Sequence, residues 1–533
     1  MANKKFSEFT LKTDSANVDF VVGYDGTDNV RIAPSNLSSG GASNLDGLSD
    51  CDTTTSGQGS MFIGNVPAGL TTSAYYNTGL GYSSLNSLTT ANYNTAVGRN
   101  SLKTITNSEG HNTAIGADAL NAGSSQQYST AIGSGAGYSA TGRHGVYVGY
   151  QSGRNNTNQG HISIGYQAGY SQTSGSKNTN IGDQAGYSNT TGLARTCIGY
   201  QAGDSNTGSN NTFIGSEANT SSGNGGNNVG VGVKALQQLT NGSRNVAVGQ
   251  EALQLCSTSE DNVAIGYQCL ESSGAKFYNT AVGSKAGTDV TTGQKNTFIG
   301  YEAGATVSNA SQNTFLGYQA GNVCATANNN TLIGNQAGVA TTGAENTLIG
   351  TFAGRTLTSG TTNAMLGVGY NGGGVQTGSN NTLLGNAATA SSTSVSNEIT
   401  LGNSSVTALR CQVTSITSLS DERDKTDIND LSYGLDFVNN LQPREFVWDN
   451  RAETRTEVDE DGNETEVEFY SSNKGKKDFG FIAQELQTLD DDTLRLVYDE
   501  NPEKLELSYG KLVPVLVKAI QDLSAKVTAL ENA

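Results

Sequence analysis

Proline is nearly absent, with five residues in 533, and tryptophan occurs once. Charged residues make up 15% of the chain, and 68 glycines stand against those five prolines. That balance fits glycine-cornered β-structure better than a disordered chain. No stretch of about 18 apolar residues exists, which argues against a membrane span. The start, Met1-Ala-Asn-Lys-Lys-Phe-Ser-Glu-Phe, has basic residues but no apolar core for a signal peptide. Six cysteines, Cys51, Cys197, Cys256, Cys269, Cys324 and Cys411, are scattered without a CxxC pair. Neither a zinc site nor a disulfide framework is expected, and no metal or cofactor. The net charge is −18. Residues 420–533 carry 27 acids and 13 bases, whereas the first 419 carry 21 and 17. The long first part is nearly neutral and has no basic stripe, so nucleic acid is not an expected partner.

What the chain does have is a repeat. An aliphatic residue followed by glycine recurs 21 times from Ile63-Gly64 to Leu401-Gly402. From Gly64 to Gly402 the mean period is 16.9 residues, with steps of 16 to 18. A fixed period sustained this long predicts a solenoid in which each repeat is one coil. The repeats are rich in Gly, Asn, Thr and Ser and hold short β-favouring cores such as Asn-Thr-Phe-Ile-Gly. They are too poor in leucine and lysine for a coiled coil, so parallel β-coils are expected.

Three columns follow. The residue before the glycine is Ile, Val or Leu in all 21 copies and reads as the dry interior of the coil. Three residues after the glycine stands Ala, Ser or Cys in 19 of 21, which predicts close backbone approach. The glycine itself is expected where φ is positive or the coil turns tightly. A further column, two residues before the glycine, reads Ala96, Ala114 and Ala131 early and Phe298, Phe315, Leu332, Leu348, Met365 and Leu383 late. Neighbours along a strand face opposite ways. On this reading the further column packs against identical chains about an axis, and a charge at Phe315 would break the assembly.

The pattern Asn-Thr-x-Ile-Gly-x-x-Ala-x-Gly resembles the head repeats of trimeric autotransporter adhesins. That resemblance implies a mainly β, trimeric parallel β-roll, with about 20 rungs 4.8 Å apart in a rod on the order of 100 Å long.

The chain divides by composition. Residues 1–34 form a small unit with a hairpin signal at Asp25-Gly26, and 35–60 read as a linker. The repeats occupy 61–404, and 405–419 is a connector. From Ser420 the chain is charged and ordinary: a helical pattern at Gly434–Leu441, a strand at Arg444–Asp449, and an acidic hairpin over Glu453–Glu468. A strand then runs into a helix from Phe479. At the end Val513, Leu516, Ile520, Leu523, Val527 and Leu530 make a heptad seam, a terminal coiled coil over 513–531.

Ser420-Asp-Glu-Arg-Asp-Lys425-Thr-Asp-Ile428 is the one constellation that suggests catalysis. Together with Leu441-Gln-Pro-Arg-Glu-Phe, Gly480-Phe-Ile-Ala-Gln-Glu485, Tyr509-Gly-Lys-Leu-Val-Pro-Val-Leu and the closing heptads, it resembles the intramolecular chaperone domain of endosialidases and phage tail fibres. The resemblance implies an α+β domain that trimerises its chain and then cuts itself off between Leu419 and Ser420, with Ser420 as nucleophile and Lys425 as base. Asp421 and Arg423 match family positions and are expected to be structural. A lysine takes a proton only where burial favours its neutral amine. The attacked carbonyl is the serine's own neighbour, so proximity stands in for a substrate site. Where the family usually has an apolar residue before this lysine, the chain has Asp424, and an adjacent carboxylate favours the charged amine.

These resemblances imply a homotrimeric phage tail fibre, made in the host cytoplasm and carried on the virion. Its N-terminus would dock on a tail or baseplate protein, and the rod would meet a host-surface receptor. The alternatives are a polysaccharide-degrading tailspike and a bacterial surface adhesin. The first needs paired carboxylates in a groove, and the repeats are poor in acids. The second sits badly with the missing signal peptide and membrane-anchor strands. Seven tyrosines follow the repeat glycine: Tyr82, Tyr150, Tyr166, Tyr200, Tyr267, Tyr301 and Tyr318. They are candidates for stacking on glycan rings or, equally in chemistry, amphipathic wall residues.

Overall fold

The computed structural model describes residues 59–64, 66–106, 109–367, 369, 374–406, 408–410, 420–449, 451–458, 464–470, 473–490, 493–499 and 505–533, with short strands at 20–24, 29–32 and 51–52. It is mainly β, a parallel β-solenoid of about 20 turns with a small C-terminal helical and β region. The chain forms two units, residues 1–261 and 262–533.

In the first unit, twelve three-residue strands run from Met61–Ile63 to Val246–Val248, each paired in parallel with the next. The segment read as a linker contributes strand Cys51–Asp52, which pairs antiparallel with Phe62 and Ile63. Strands Phe20–Tyr24 and Asn29–Ile32 form the expected antiparallel hairpin; its Asp25-Gly26 turn lies outside the described residues. In the second unit nine more strands, from Val263–Ile265 to Ile399–Leu401, pair the same way.

The repeat glycine does what the sequence suggests. Gly300 has φ +136, and a Cβ there would collide with the Gly317 carbonyl of the next coil. Before 15 of the 21 strands stands a buried asparagine that joins the coils. The Asn296 backbone N–H and Nδ2 both donate to Asn279 Oδ1, at 3.0 and 3.1 Å, and Nδ2 also donates to the Ala310 carbonyl at 2.9 Å. Such ladders satisfy each buried amide by its copy in the neighbouring coil.

The faces of the strand are the reverse of the sequence reading. Phe298, Phe315, Leu332 and Leu348 are fully buried, as are Ala96, Ala114 and Ala131. The aliphatic residue before the glycine points out: Leu316 is 41% exposed, and Ile132, Ile265, Ile299 and Leu384 are similarly open. In a strand of three residues the first and third share one face and the middle one takes the other. The outward face is therefore a Thr/Ile stripe, and the variable middle column fills the coil. A charge at Phe315 would disrupt the coil's own core.

The interior is filled by an exchange of volume that the sequence reading did not detect. In several coils with a small middle residue the fourth residue after the glycine is leucine: Ala96 with Leu102, Ala114 with Leu120, Gly230 with Leu236, Ala247 with Leu253 and Ala264 with Leu270, whereas Ala131 and Ala281 have Gly137 and Gly287 there. In four consecutive coils with a large middle residue that position is glycine: Phe298 with Gly304, Phe315 with Gly321, Leu332 with Gly338 and Leu348 with Gly354, while Phe213 has Asn219 there. A Cβ at Gly304 would lie 2.7 Å from the Phe298 ring, so the two cannot both be large. At the switch coil, Gly287 is covered from both sides, by Leu270 and by Phe298. The leucines occupy left-handed backbone, for example Leu253 at φ +50, close to the +58 of Gly321.

Between Tyr147 and Asn206 the interior turns polar. Tyr147, His161, Ser163, Asn180 and Arg195 are all buried. His161 stands in the asparagine column, and burial pushes its pKa down to about 4, with the Gly175 backbone partly opposing. Arg195 gives one hydrogen bond to the Gly203 carbonyl, at 2.8 Å, and lies 5.9 Å from the Phe213 ring.

In the C-terminal module, helix α1 (Leu435–Asn440) is followed by strand Arg444–Val447, which pairs antiparallel with Lys477–Gly480. A hairpin joins Glu453–Val458 to Glu464–Phe469. Helix α2 (Ala483–Gln487), a short ladder of Val497–Tyr498 with Glu506–Leu507, and helix α3 (Leu512–Glu531) complete it. The core is Leu441, Leu486, Leu496 and Leu512, with Phe437, Phe481 and Leu507 packed against it.

Two predictions follow from the coil interior. Phe315→Ala should cost about 3–5 kcal/mol, and adding Gly321→Leu should recover a large part. Thermal melts of both variants measure this, and a double variant no better than the single one would refute the exchange. His161 binds its proton more weakly folded than unfolded, so its contribution is intact above pH 6.5, the ordinary value, and is lost as pH falls toward 4. The loss should reach on the order of 3 kcal/mol. His161→Asn, which restores the ladder residue, should flatten melting temperature against pH across that window.

Candidate functional site

The site is built at the first described residues of the C-terminal module. Asp421 caps a single 3-10 turn, Glu422–Asp424, its carboxylate accepting from the Arg423 backbone N–H at 2.9 Å. The same carboxylate takes two bonds from the Arg423 guanidinium, Nη2 at 2.6 Å and Nε at 3.0 Å. These bonds hold the Asp421 carboxyl below the usual carboxylate range. Asp421 and Arg423 thus fix a turn and touch neither reacting atom. One turn reverses the chain far enough to bring Lys425 back over Ser420.

Lys425 Nζ lies 2.5 Å from Ser420 Oγ and 3.2 Å from the Ser420 carbonyl oxygen. The two residue types that the motif places five apart therefore meet. A serine hydroxyl beside an amine can pass its proton to that amine once the amine is neutral, and its oxygen can then attack a carbonyl. Both residues are exposed in the single chain. The burial that would favour a neutral lysine is not supplied by the module's own fold. Asp424 is exposed, and among the described residues no ion pair joins it to Lys425. Leu419, on the other side of the bond in question, lies outside the described residues.

The remaining blocks support the module around this turn. Arg444 Nη2 meets Glu485 Oε1 at 2.9 Å, tying strand Arg444–Val447 to α2. Trp448 Nε1 donates to Asp478 at 3.1 Å, and the Phe481 N–H donates to the Tyr509 hydroxyl at 3.2 Å. Asp522 of α3 accepts from the Leu435 N–H at 3.2 Å and from Lys518 at 2.8 Å, anchoring α1 on α3. The heptad positions Val513, Leu516, Ile520, Leu523, Val527 and Leu530 are exposed in the single chain, while Leu512, Val515 and Ala519 face the module.

Of the seven tyrosines, Tyr150 stacks on Tyr166 with centroids 5.5 Å apart, and Tyr301 on Tyr318 at 5.6 Å. The faces these rings turn to each other are taken, which leaves outer faces and edges. Tyr82, Tyr200 and Tyr267 are exposed. Ring ladders that the sequence reading missed lie at other corners, where Tyr93 stacks on His111 at 4.5 Å and Tyr170 on Tyr187 at 5.0 Å. Ring-bearing residues one period apart were the signal for them. No group of metal-ligating side chains is found among the described residues.

In this chain a parallel β-solenoid is joined to a small module that opens with a Ser–Lys pair. Residues 420–495 match the family described as chaperone of endosialidase, a peptidase family. The match starts at Ser420 and ends before α3. No curated protein and no solved structure matches the chain.

If the pair acts, Ser420→Ala and Lys425→Ala should each leave a full-length chain where the unaltered protein yields a 114-residue fragment, read by intact mass. The rate should rise with pH, because only the neutral amine accepts the serine proton. Asp421→Ala should slow the cut roughly tenfold by loosening the turn while leaving both reacting groups. Cleavage by Ser420→Ala at the same bond would exclude Ser420 as nucleophile.

Proposed function

We propose that this protein is a homotrimeric phage tail fibre, a receptor-binding structural protein whose C-terminal chaperone aligns three chains and then cuts itself free between Leu419 and Ser420. The observation that carries the reading is the contact between Lys425 Nζ and Ser420 Oγ at the head of a module matching a chaperone family. Two apolar stripes support the trimer. One is the outward Ile/Leu column of the coils, and the other is the exposed heptad seam of α3. Stripes of this kind on a single chain call for a partner surface, and identical chains side by side supply one at every coil.

Assembly also answers the problem of the exposed lysine. Packing three modules together would desolvate the turn at Ser420 and favour the neutral amine, so cleavage follows trimerisation. Parallel coils that resemble one another pair in several registers, and the chaperone removes that freedom by aligning one end. Once it is cut away, the fibre cannot retrace its folding path and gains kinetic stability. Residues 1–34 attach the fibre to a tail or baseplate protein of the virion, and the coils reach a host-surface receptor.

Light scattering on purified protein should give three times the chain mass. Leu316→Asp, on the outward face, should break the trimer while leaving circular dichroism intact; a trimer that survives would rule out that stripe as the interface. A chain ending at 419 should aggregate. Soluble trimer from that truncated gene would overturn the chaperone role.

A further inference from the structure

One corner of the coil carries a column of residues with positive φ, each just before the ladder position. In the first unit it reads Tyr76, Tyr93, His111, Tyr128 and His144, with φ between 54° and 61°. Their rings form a continuous stack, with centroid spacings of 5.0, 4.5, 5.0 and 5.5 Å and interplanar angles of 12° to 22°. At the next coil the column holds Gly160, which is exposed. Near the place a Cβ would occupy at Gly160 there is a single atom, Lys177 Cγ at 3.8 Å, from the coil beyond.

The stack therefore stops at an open face. Coils about 4.8 Å apart place the Lys177 position about two rungs from the His144 ring, and the rung between them has no side chain. The opening is one ring thick. Its floor is the His144 imidazole, and its roof is the Lys177 stem, whose Cγ is the atom found there. Arg143 stands at its edge, its carbonyl accepting from the Gly160 N–H at 3.0 Å. Charge points the same way. Between Asp118 and Asp204 the chain holds Arg143, Arg154, Lys177 and Arg195 against one acid, Asp183, in a protein of net charge −18. Arg195 is buried and Arg154 lies over the Tyr138 ring, 4.7 Å from its centroid, which leaves the exposed Arg143 and Lys177, on the rungs either side of Gly160, as the free cations of this stretch.

We propose that this opening is a binding site for an acidic sugar, a pyranose ring carrying a carboxylate. The apolar face of the ring stacks on His144, as the next aromatic ring of the column would. The carboxylate meets the Lys177 ammonium and the Arg143 guanidinium. The site rests on the receptor-binding reading and gives that reading a place and a ligand class.

The test uses the full-length protein with methyl β-glucuronide and methyl β-glucoside as probes, followed by saturation-transfer NMR and calorimetry. The glucuronide should bind with a Kd on the order of 1 mM, and the glucoside roughly tenfold more weakly. Gly160→Tyr fills the opening with the residue that the column carries at Tyr128, in a similar backbone conformation. It should keep or raise the melting temperature and abolish binding of both sugars. Lys177→Gln should weaken the glucuronide roughly tenfold and leave the glucoside unchanged. Equal glucuronide binding by the unaltered protein and Gly160→Tyr overturns the proposal, as does absence of binding to the unaltered protein. The receptor reading is tested apart, on bacteria with a glucuronate-rich capsule. Sugar binding lost in Gly160→Tyr, with no adhesion by the unaltered protein, keeps the site and rejects the receptor role.

Discussion

Between the middle strand column and the fourth residue after the glycine, a coil of about 17 residues has room for one large side chain, as Phe298 with Gly304 and Ala264 with Leu270 show. The backbone ladder stacks each coil directly on the last, as the pairing of Thr297 with Thr314 and of Ile299 with Leu316 shows. That stacking leaves no freedom to widen the interior locally. Volume is instead passed between two columns, so that Phe298 accompanies Gly304 while Leu270 accompanies Ala264. Close packing of this kind makes a change of one side chain a change in what its counterpart must be.

The same limit explains what the outside looks like. Because the middle residue of each strand takes the interior, its two neighbours are forced outward together, and an apolar stripe appears on the surface of a single chain. The stripe is thus a consequence of very short strands and not of a second core. The seam on α3 has an analogous origin: the helix uses Leu512, Val515 and Ala519 against its own module and leaves the heptad residues outside. In the single chain both apolar surfaces are exposed.

Much of this was legible in the residues. The period, the glycine column, the buried small column and the hairpin, strand and helix order after Ser420 all follow from local chemistry. The orientation of the strand did not. The aliphatic column before the glycine is the more uniform of the two, and uniformity points to burial where here it marks the outer face. The buried column varies from Ala96 to Phe315, because its partner column varies in compensation, and that is visible only when both are aligned. At the site, the spacing of Ser420 and Lys425 pointed to their contact once the surrounding blocks were seen together. The environment of the lysine did not follow, since the module's own fold leaves Lys425 exposed.

The asparagine ladder has an evolutionary corollary. Where the ladder asparagine is present, a coil offers its neighbour the same amide oxygen and receives the same amide hydrogens, so such coils are interchangeable modules. Duplicating or deleting one leaves every bond type in place, provided the junction matches large against small in the interior. Gly287, covered by Leu270 on one side and Phe298 on the other, marks a junction where that phase changes. Recombination within a phase is neutral for packing, whereas recombination across it creates either a clash or a void. The genome can therefore tune the reach of such a protein in steps of one coil, and the interior columns record where those steps are allowed.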